Sequence, residues 1–410
     1  MRKPRIILYG HFGSGNVGND SSLEAALFHV RKYRPDADIL CVCNGPQVVK
    51  DRFGIETLPM DESAAKRAEH SGSRSRLKRV WSRLLDELNF WLKRPAWFQR
   101  GDQFLIVGTG AVDDMAVKHP WNAPYELYKW CKTARMGGAQ VIFLSVGVGP
   151  IMNRVSRFLM LKALRMADYR SYRELAAFNY LQGIGFDTFG DALYPDLVFS
   201  LPKESLPAAQ QPFSAARVVG LGLINYYGWR NDPRIGEAVY QEYFSKITRF
   251  ASWLFEQGHT IRILSGDATD QRPVQEFIDF LNQEGKPEWR KKLVAEGITT
   301  VNDLFQQIAQ TDLVVASRFH NVLCSLMLER PVISLGYHEK NANLMAEMGL
   351  EDYDQHIEHF TFEKLIEQFE CYTSNMEQSI QRIRTKNEQY RQRLDEQYRQ
   401  ILLNRSQDSQ

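Results

Sequence analysis

Residues 311–336 read TDLVVASRFHNVLCSLMLERPVISLG. The opening TDLVVAS is short, largely apolar and rich in β-branched residues, the pattern of a buried strand. SRFH breaks that pattern with one arginine and one histidine. NVLCSLMLE reads as a short helix, stopped at Arg330-Pro331 because the residue before a proline is pushed out of the helical region. PVISLG is a second buried strand. Two parallel strands need a crossover helix between them, and the functional end of such a unit is the loop that leaves the first strand. That loop holds Ser317, Arg318, Phe319, His320 and Asn321. A guanidinium and an imidazole at the opening of a helix, where the first backbone N–H groups lack intrahelical partners, make an anion site.

Working back from this unit, the chain repeats the same grammar. ARVVGLGLINYYGW and HTIRILSGD read as strands, with helices from about Glu237 to Gln257 and near Val274 to Asn282. Residues 201–214, LPKESLPAAQQPFS, carry three prolines and few apolar residues, which marks a linker. Before it runs another series: PRIILYG, ADILCVCN, QFLIVG, AQVIFLSV, ADYRSYR and DALYPDLVFS. Several of these strands end in glycine-rich loops, as they would along one carboxyl edge of a parallel sheet. The first loop, HFGSGNVGND, contains Gly13-x-Gly15-x-x-Gly18 but no Gly-Lys-Ser/Thr, so it is not a P-loop. A ligand-facing loop and a plain tight turn both remain open there. Asp20, Ser21 or Ser22 would cap the following helix ahead of Leu23. The organisation expected is α/β with two Rossmann-like domains facing a cleft. Residues 1–200 form the first, 201–214 the linker, 215–360 the second, and 361–410 a long C-terminal helix and tail. The Glu, Gln, Arg and Lys content of that tail reads as a solvated face.

Residues 61–100 differ from their surroundings. Between Ala64 and Arg100 stand ten Lys or Arg against three acids, a local excess of seven positive charges. Trp81, Leu84, Leu85, Leu88 and Trp91/Leu92 recur at helical spacing. The reading favoured is a helix that covers the sheet with this stripe and turns a basic face to solvent. The competing reading is peripheral contact with a membrane through residues 64–100.

The whole chain sets outer bounds. A formal net charge of +2 gives no reason to expect nucleic acid. Five scattered cysteines are expected to be reduced thiols in the cytoplasm. The opening MRKPRIILYGHFGSGN breaks into glycine after four apolar residues, so no signal peptide is expected. No apolar stretch is long enough to span a bilayer. The location expected is cytoplasmic, with peripheral attachment at the inner face of the membrane as the extension of the competing reading.

GSGNVGND, VGTGAVDD, SVGVGP, SYRE and above all DLVVASRFHNVLCSLMLERPVISLGYHEKNANLMAEMGL together resemble the polysaccharide pyruvyl transferase family. The resemblance runs from about Ile6 to Leu350 and is weak in residues 61–100. It implies a fold like the two-domain glycosyltransferases of the B type. It also implies transfer of the enolpyruvyl skeleton of phosphoenolpyruvate onto two sugar hydroxyls, giving a cyclic pyruvate ketal and phosphate. In the family the Ser-Arg-x-His loop holds the donor, so the resemblance assigns donor binding to Arg318 and His320, with Phe319 and Asn321 beside them. A further donor-binding arginine is usual after the first strand of the second domain. Ile224-Asn225 stands there, with Arg230 as its replacement. Thr109 interrupts the glycines of the Gly108/Gly110 loop.

The residue chemistry suits this reading. The planar fork of Arg318 matches a phosphate or a carboxylate, and Lys340 adds a charge nearby. His320 suits acid catalysis, since an imidazole titrates near neutral pH. Asp113 or Asp114 suits the base that accepts a sugar proton, with Asp20 as a further candidate. Gly13, Asn16, Asp20, Gly108, Gly110, Gly147 and Arg173 make up the acceptor side. Arg173-Glu174 reads as an interdomain ion pair ahead of a ligand contact, His11 as a loop residue and His338 as a supporting group. A structural role competes at each position: Arg318 in an ion pair with a core carboxylate, His320 as a helix cap, the aspartates as caps. The expected partners are phosphoenolpyruvate as co-substrate and a glycan or lipid-linked saccharide as acceptor, with no cofactor and no metal. The alternative is a B-type glycosyltransferase that uses a nucleotide sugar, against which Glu339 is the lone acid of SLGYHEKNANL. A non-catalytic glycan-binding or assembly protein on the same fold predicts loss of Arg318 or His320, and both are present.

Overall fold

The computed structural model describes residues 3–61, 76–108, 110–114, 119–208, 217–228, 232–265, 268–284, 286–298 and 300–403. Arg230, Thr109, residues 62–75 of the basic segment and 209–214 of the expected linker lie outside the described residues. The chain divides into two compact units. Met1–Leu201 together with Arg391–Gln410 forms one, and Pro202–Tyr390 the other.

The first unit is built on a seven-stranded sheet. Its strands are β1 (Arg5–Gly10), β2 (Asp38–Cys43), β3 (Glu56–Pro59), β4 (Gln103–Val107), β5 (Gln140–Val146), β6 (Tyr169–Tyr172) and β7 (Ala192–Leu193), in the order β3-β2-β1-β4-β5-β6-β7. Every neighbouring pair is parallel. Continuous apolar runs such as IILY and FLIV are what a sheet covered on both faces requires, and Ile6 to Tyr9 and Phe104 to Val107 are all buried. The second unit repeats the plan with β8 (Val218–Gly222), β9 (Thr260–Ile263), β10 (Leu293–Val294), β11 (Leu313–Ala316), β12 (Val332–Gly336) and β13 (Asp354–His356). Their order is β10-β9-β8-β11-β12-β13, again all parallel. In both sheets the winding reverses beside the first strand, between β1 and β4 and between β8 and β11. Ligands of doubly wound sheets bind outside the carboxyl ends of strands at such a switch point. β3, β10 and β13 are short edge strands with too few residues to show a period in the sequence.

Helix boundaries refine the sequence reading at both ends of the chain. The helix after β1, α1 (Val17–Tyr33), starts before Asp20. Its cap is Asn16, whose side chain accepts the N–H groups of Gly18 and Asn19. The long C-terminal helix expected is present as Met376–Leu403, with a shorter helix before it. The chain breaks at Asn375 between Phe362–Ser374 and Met376–Leu403. The polar residues of the last helix are not all solvated either: Asn387 and Gln397 are fully buried. Asn387 donates to the carbonyl of Leu326 within the second unit, and Gln397 donates to Ser171 Oγ and Tyr169 OH within the first.

The basic segment is the largest departure. After the helix that follows β2, α2 (Pro46–Phe53), the chain forms α3 (Arg76–Lys93) and then, past β4, α4 (Ala123–Met136). The stripe expected to cover the sheet points the other way: Trp81, Leu84, Leu85, Leu88 and Leu92 are 57–72% exposed. The face turned to the domain carries Phe90, edge-on to Trp130, and Glu87, which accepts from Tyr125 OH at 2.6 Å. Lys129, buried on α4, sits 2.8 Å from Glu126 and 3.6 Å from Glu87.

Burial holds the Glu126 carboxyl up at about 7, with Lys129 pulling the other way. A carboxyl raised in the folded state binds its proton more tightly there than in the unfolded chain. Its contribution to stability is therefore full below about pH 4.5 and is lost as the pH rises through about 7. Glu126→Gln, a permanent analogue of the protonated form, is expected to gain about 1–3 kcal/mol on the parent between pH 5 and pH 8. Urea unfolding of both proteins at the two pH values checks this, and parallel pH dependences would contradict it.

Candidate functional site

In the second unit, three loops meet at the carboxyl edge beside the switch point. β8 leads to 223–228, β9 to 264–265 and 268–270, and β11 to Ser317 and the helix α11 (Phe319–Met327). One residue joins them. Asp270 is fully buried, and its carboxylate accepts from Arg318 Nε at 2.8 Å, from Arg318 Nη2 at 2.7 Å and from the Asn225 N–H at 3.0 Å. Arg318 Nη2 also donates to Thr269 Oγ1 at 3.0 Å. Arg318 is the N-cap residue of α11 in extended backbone, and its side chain keeps 23% of its surface exposed. The fork expected to meet an oxyanion is thus held in plane by a carboxylate beneath it, with an outer edge at solvent. The helix begins at Phe319, two residues before the sequence suggests. Phe319 and the half-buried His320 therefore occupy its first turn, their rings edge to face at 5.7 Å.

The neighbouring positions divide by role. Asn321 is buried and its amide donates to the Leu264 carbonyl, tying α11 to the loop after β9. His338 caps the helix after β12 by accepting from the Lys340 N–H, and Lys340 itself is half-buried. Where a second arginine was expected, Ile224 is buried and Asn225 holds its backbone on Asp270. The Asn225 side-chain oxygen is buried without a hydrogen-bond partner among the described residues. A buried amide oxygen left unsatisfied marks a place for a hydrogen-bond donor such as a water. Asp270 escaped the sequence reading, although it stands in a strand-end loop as Arg318 does.

The first unit presents its own set at the edge beside β1 and β4. Gly13 has φ of 70°, and a Cβ there would lie 2.6 Å from the Gly45 carbonyl oxygen. A Cβ on Gly45 would lie 2.1 Å from the Gly13 carbonyl oxygen. The loops after β1 and β2 therefore pack glycine on glycine. Asp20, buried, closes the first loop by accepting the Gly13 N–H at 2.8 Å, and burial raises its carboxyl above the usual range despite that bond and nearby Arg52. Gly45→Ala is expected to destabilise the protein by about 1–3 kcal/mol through backbone displacement, read as a lowered Tm. An unchanged Tm would contradict the packing.

Of the two adjacent aspartates, Asp114 is a buried clamp. Its two oxygens accept the N–H groups of Met152 and Asn153, each at 2.8 Å. Asp113 is half-buried and rests over two glycines: a Cβ on Gly110 would meet its Oδ2 at 2.6 Å, and one on Gly149 its Cβ at 2.8 Å. Gly108, at φ of 50°, lets the loop pass Ser22, and the Gly147 carbonyl accepts the Val112 N–H. Arg173 forms the expected ion pair with Glu174. Its guanidinium holds Glu174 at 3.1 Å and Asp196 at 2.8 Å, and all three residues belong to the first unit.

Residues 16–339 match the family model for polysaccharide pyruvyl transferase. The chain belongs to the polysaccharide pyruvyl transferase family. The matched span contains Asn16, both aspartates and the Ser-Arg-x-His loop of this family member. No curated protein matches the chain. Solved structures share its fold. The UDP-GlcNAc 2-epimerase from Neisseria meningitidis bound to UDP-GlcNAc is 10% identical, with a TM-score of 0.60 over 98% of this chain and 100% of the other. Anabaena Alr3699/HepE in complex with UDP is 12% identical, at 0.59 over 98% and 100%. A glycosyltransferase from Rickettsia africae is 12% identical, at 0.57 over 99% and 100%. Two parallel-sheet α/β units are therefore a plan this chain shares with B-type glycosyltransferases and epimerases. Among the described residues no helix is long and apolar enough to cross a membrane.

Proposed function

We propose that the protein transfers the pyruvyl group of phosphoenolpyruvate to two hydroxyls of one sugar in a polysaccharide or lipid-linked precursor, releasing phosphate. The observation that carries this reading is Arg318: a guanidinium oriented bidentately by buried Asp270, partly at solvent, at the start of a helix on the switch-point edge. Such a fork suits an oxyanion of the donor, and the first-turn N–H groups of α11 reinforce it. Lys340 adds charge, and Arg230 is retained as a donor contact. Asn321 supports the loop from behind.

The chemistry then needs one proton at the methylene carbon of the donor. Its arrival leaves an oxocarbenium-like centre at C2. One sugar hydroxyl adds there, the C–O bond to phosphate breaks, and the second hydroxyl closes the ketal. Two hydroxyl protons are lost; one balances the proton gained by carbon and the other leaves with phosphate. His320 is proposed as the acid, and Asp113, in the loop after β4 at the carboxyl edge of the first sheet, as the base. Gly13, Asn16, Gly108, Gly110 and Gly147 shape the acceptor side, where Arg173 fixes the loops through its two carboxylates. The reaction proposed uses phosphoenolpyruvate as co-substrate with no cofactor. A lipid-linked acceptor would bring the enzyme to the inner face of the membrane, with peripheral contact through residues 64–100.

Mass spectrometry of the acceptor tests the reading. The proposal expects a gain equal to pyruvic acid less one water. A gain of one sugar with release of a nucleoside diphosphate would support the glycosyltransferase reading, which the shared fold also accommodates.

A further inference from the structure

Among the described residues, only Ser145 and Glu329 hold a positive φ without being glycine. Ser145, at 45°, lies near the end of β5 and is fully buried. The left-handed region brings the Cβ of an L residue against the following carbonyl oxygen, so the surroundings must hold the serine there. The strand pairing shows where the turn comes from. Phe143 pairs with Arg170 and Val146 with Tyr172, so Leu144 and Ser145 together face the single residue Ser171. This is a β-bulge, which bends its strand and re-aims the residues that follow.

Side chains close the bulge. Ser171 Oγ accepts the Ser145 N–H at 2.8 Å and donates to the Phe143 carbonyl at 3.2 Å. Gln397, near the end of the last helix, completes the circuit. Its Oε1 accepts from Ser145 Oγ at 3.3 Å, and its Nε2 donates to Ser171 Oγ at 2.8 Å and to Tyr169 OH at 3.1 Å. Ser145, Ser171 and Gln397 are fully buried, so losing one partner strands the polar groups of the others. All of them belong to the first unit. The residues after the bulge form the loop on the acceptor side. The Gly147 carbonyl accepts the Val112 N–H at 3.4 Å, the Gly149 N–H donates to the Val112 carbonyl at 3.1 Å, and Gly149 lies under Asp113.

We propose that Gln397 is a positioning residue: it holds Ser145 in the left-handed turn that lays residues 147–149 beneath Asp113. Glycine would take that conformation without strain, but it lacks the hydroxyl that reaches Gln397. The serine makes the shape of the loop depend on a side chain 252 residues away in sequence. The end of the last helix has its own anchorage. His29 stacks on Tyr398 at 4.1 Å, and Gln103 Nε2 donates to the Ile401 carbonyl at 2.9 Å. Loss of the Gln397 amide therefore frees the bulge without undocking the helix. The brace stands on the fold; its effect on turnover rests on the reading of Asp113 as the base.

Hydrogen exchange of the full chain, with steady-state phosphate release, tests it on Gln397→Met, Ser145→Gly and the two combined. Gln397→Met is expected to speed exchange at the Val112 and Gly149 amides by roughly tenfold, the weight of one residue's left-handed strain. It is expected to lower kcat by about tenfold at unchanged KM for phosphoenolpyruvate, since the Arg318 loop belongs to the second unit. Ser145→Gly should match the parent, and added to Gln397→Met it should restore slow exchange and kcat. Where Gln397→Met does not fold, Ser171→Ala opens the same bulge and carries the same expectations. Parental exchange in Gln397→Met would overturn the proposal, as would a combined variant no better than Gln397→Met, or faster exchange at parental kcat. Exchange needs no substrate, so a parent that releases no phosphate would contradict pyruvyl transfer and leave the exchange comparison to decide the brace.

Discussion

Arg318→Ala is expected to lower kcat/KM for phosphoenolpyruvate by about a thousandfold, through loss of its charge and its charge-assisted hydrogen bonding to the donor. The same substitution is expected to cost about 3–5 kcal/mol of stability, because it strands the buried Asp270 carboxylate. The two effects are separable. In an Asp270→Asn background no carboxylate is left unpaired, so removing Arg318 should recover most of the stability and none of the turnover. Arg318→Lys should behave similarly, since an ammonium keeps the charge but not the planar fork. Urea unfolding and steady-state rates on the four proteins check this. A well-folded double variant with parental kcat/KM would show that Arg318 is only a structural ion pair of the second unit.

His320→Gln is expected to lower kcat by two to four orders of magnitude (about 10²–10⁴-fold) with a small change in KM, as loss of a general acid does. Its place in the first turn of α11, half-buried beside Phe319, sets the imidazole near the Arg318 loop and short of full burial. The parental kcat–pH profile should carry a limb from this imidazole that the variant lacks. A raised KM at unchanged kcat, with the limb retained, would make His320 a binding group and move the acid elsewhere.

Some of this site is legible in residue order alone, and the rest is not for definite reasons. TDLVVAS, SRFH, NVLCSLMLE and PVISLG follow one another within residues 311–336, so strand, loop, helix and strand can be read off and Arg318 placed at a carboxyl edge. Asp270 stands 48 residues earlier, and only the β9-β8-β11 order brings its loop to Arg318. Strand order is not written in local periodicity. Asp113 and Asp114 are indistinguishable as neighbours in sequence, yet the chain turns Asp114 to the backbone of residues 152–153 and sets Asp113, half-buried, over Gly110 and Gly149. The stripe on α3 shows a further limit: helical spacing reveals that an apolar face exists, not what covers it. Gln397 and Asn387 show the converse, since polar letters in a charged helix conceal fully buried hydrogen bonds.

Phosphate release from phosphoenolpyruvate by the full chain, followed with and without pyranose acceptors, tests pyruvyl transfer most directly. The account predicts release that requires an acceptor, that falls by about a thousandfold in the Asp270→Asn, Arg318→Ala double variant, and that is accompanied by ketal on the acceptor. No release with any pyranose acceptor, together with turnover of a nucleotide sugar by the same preparation, would contradict it.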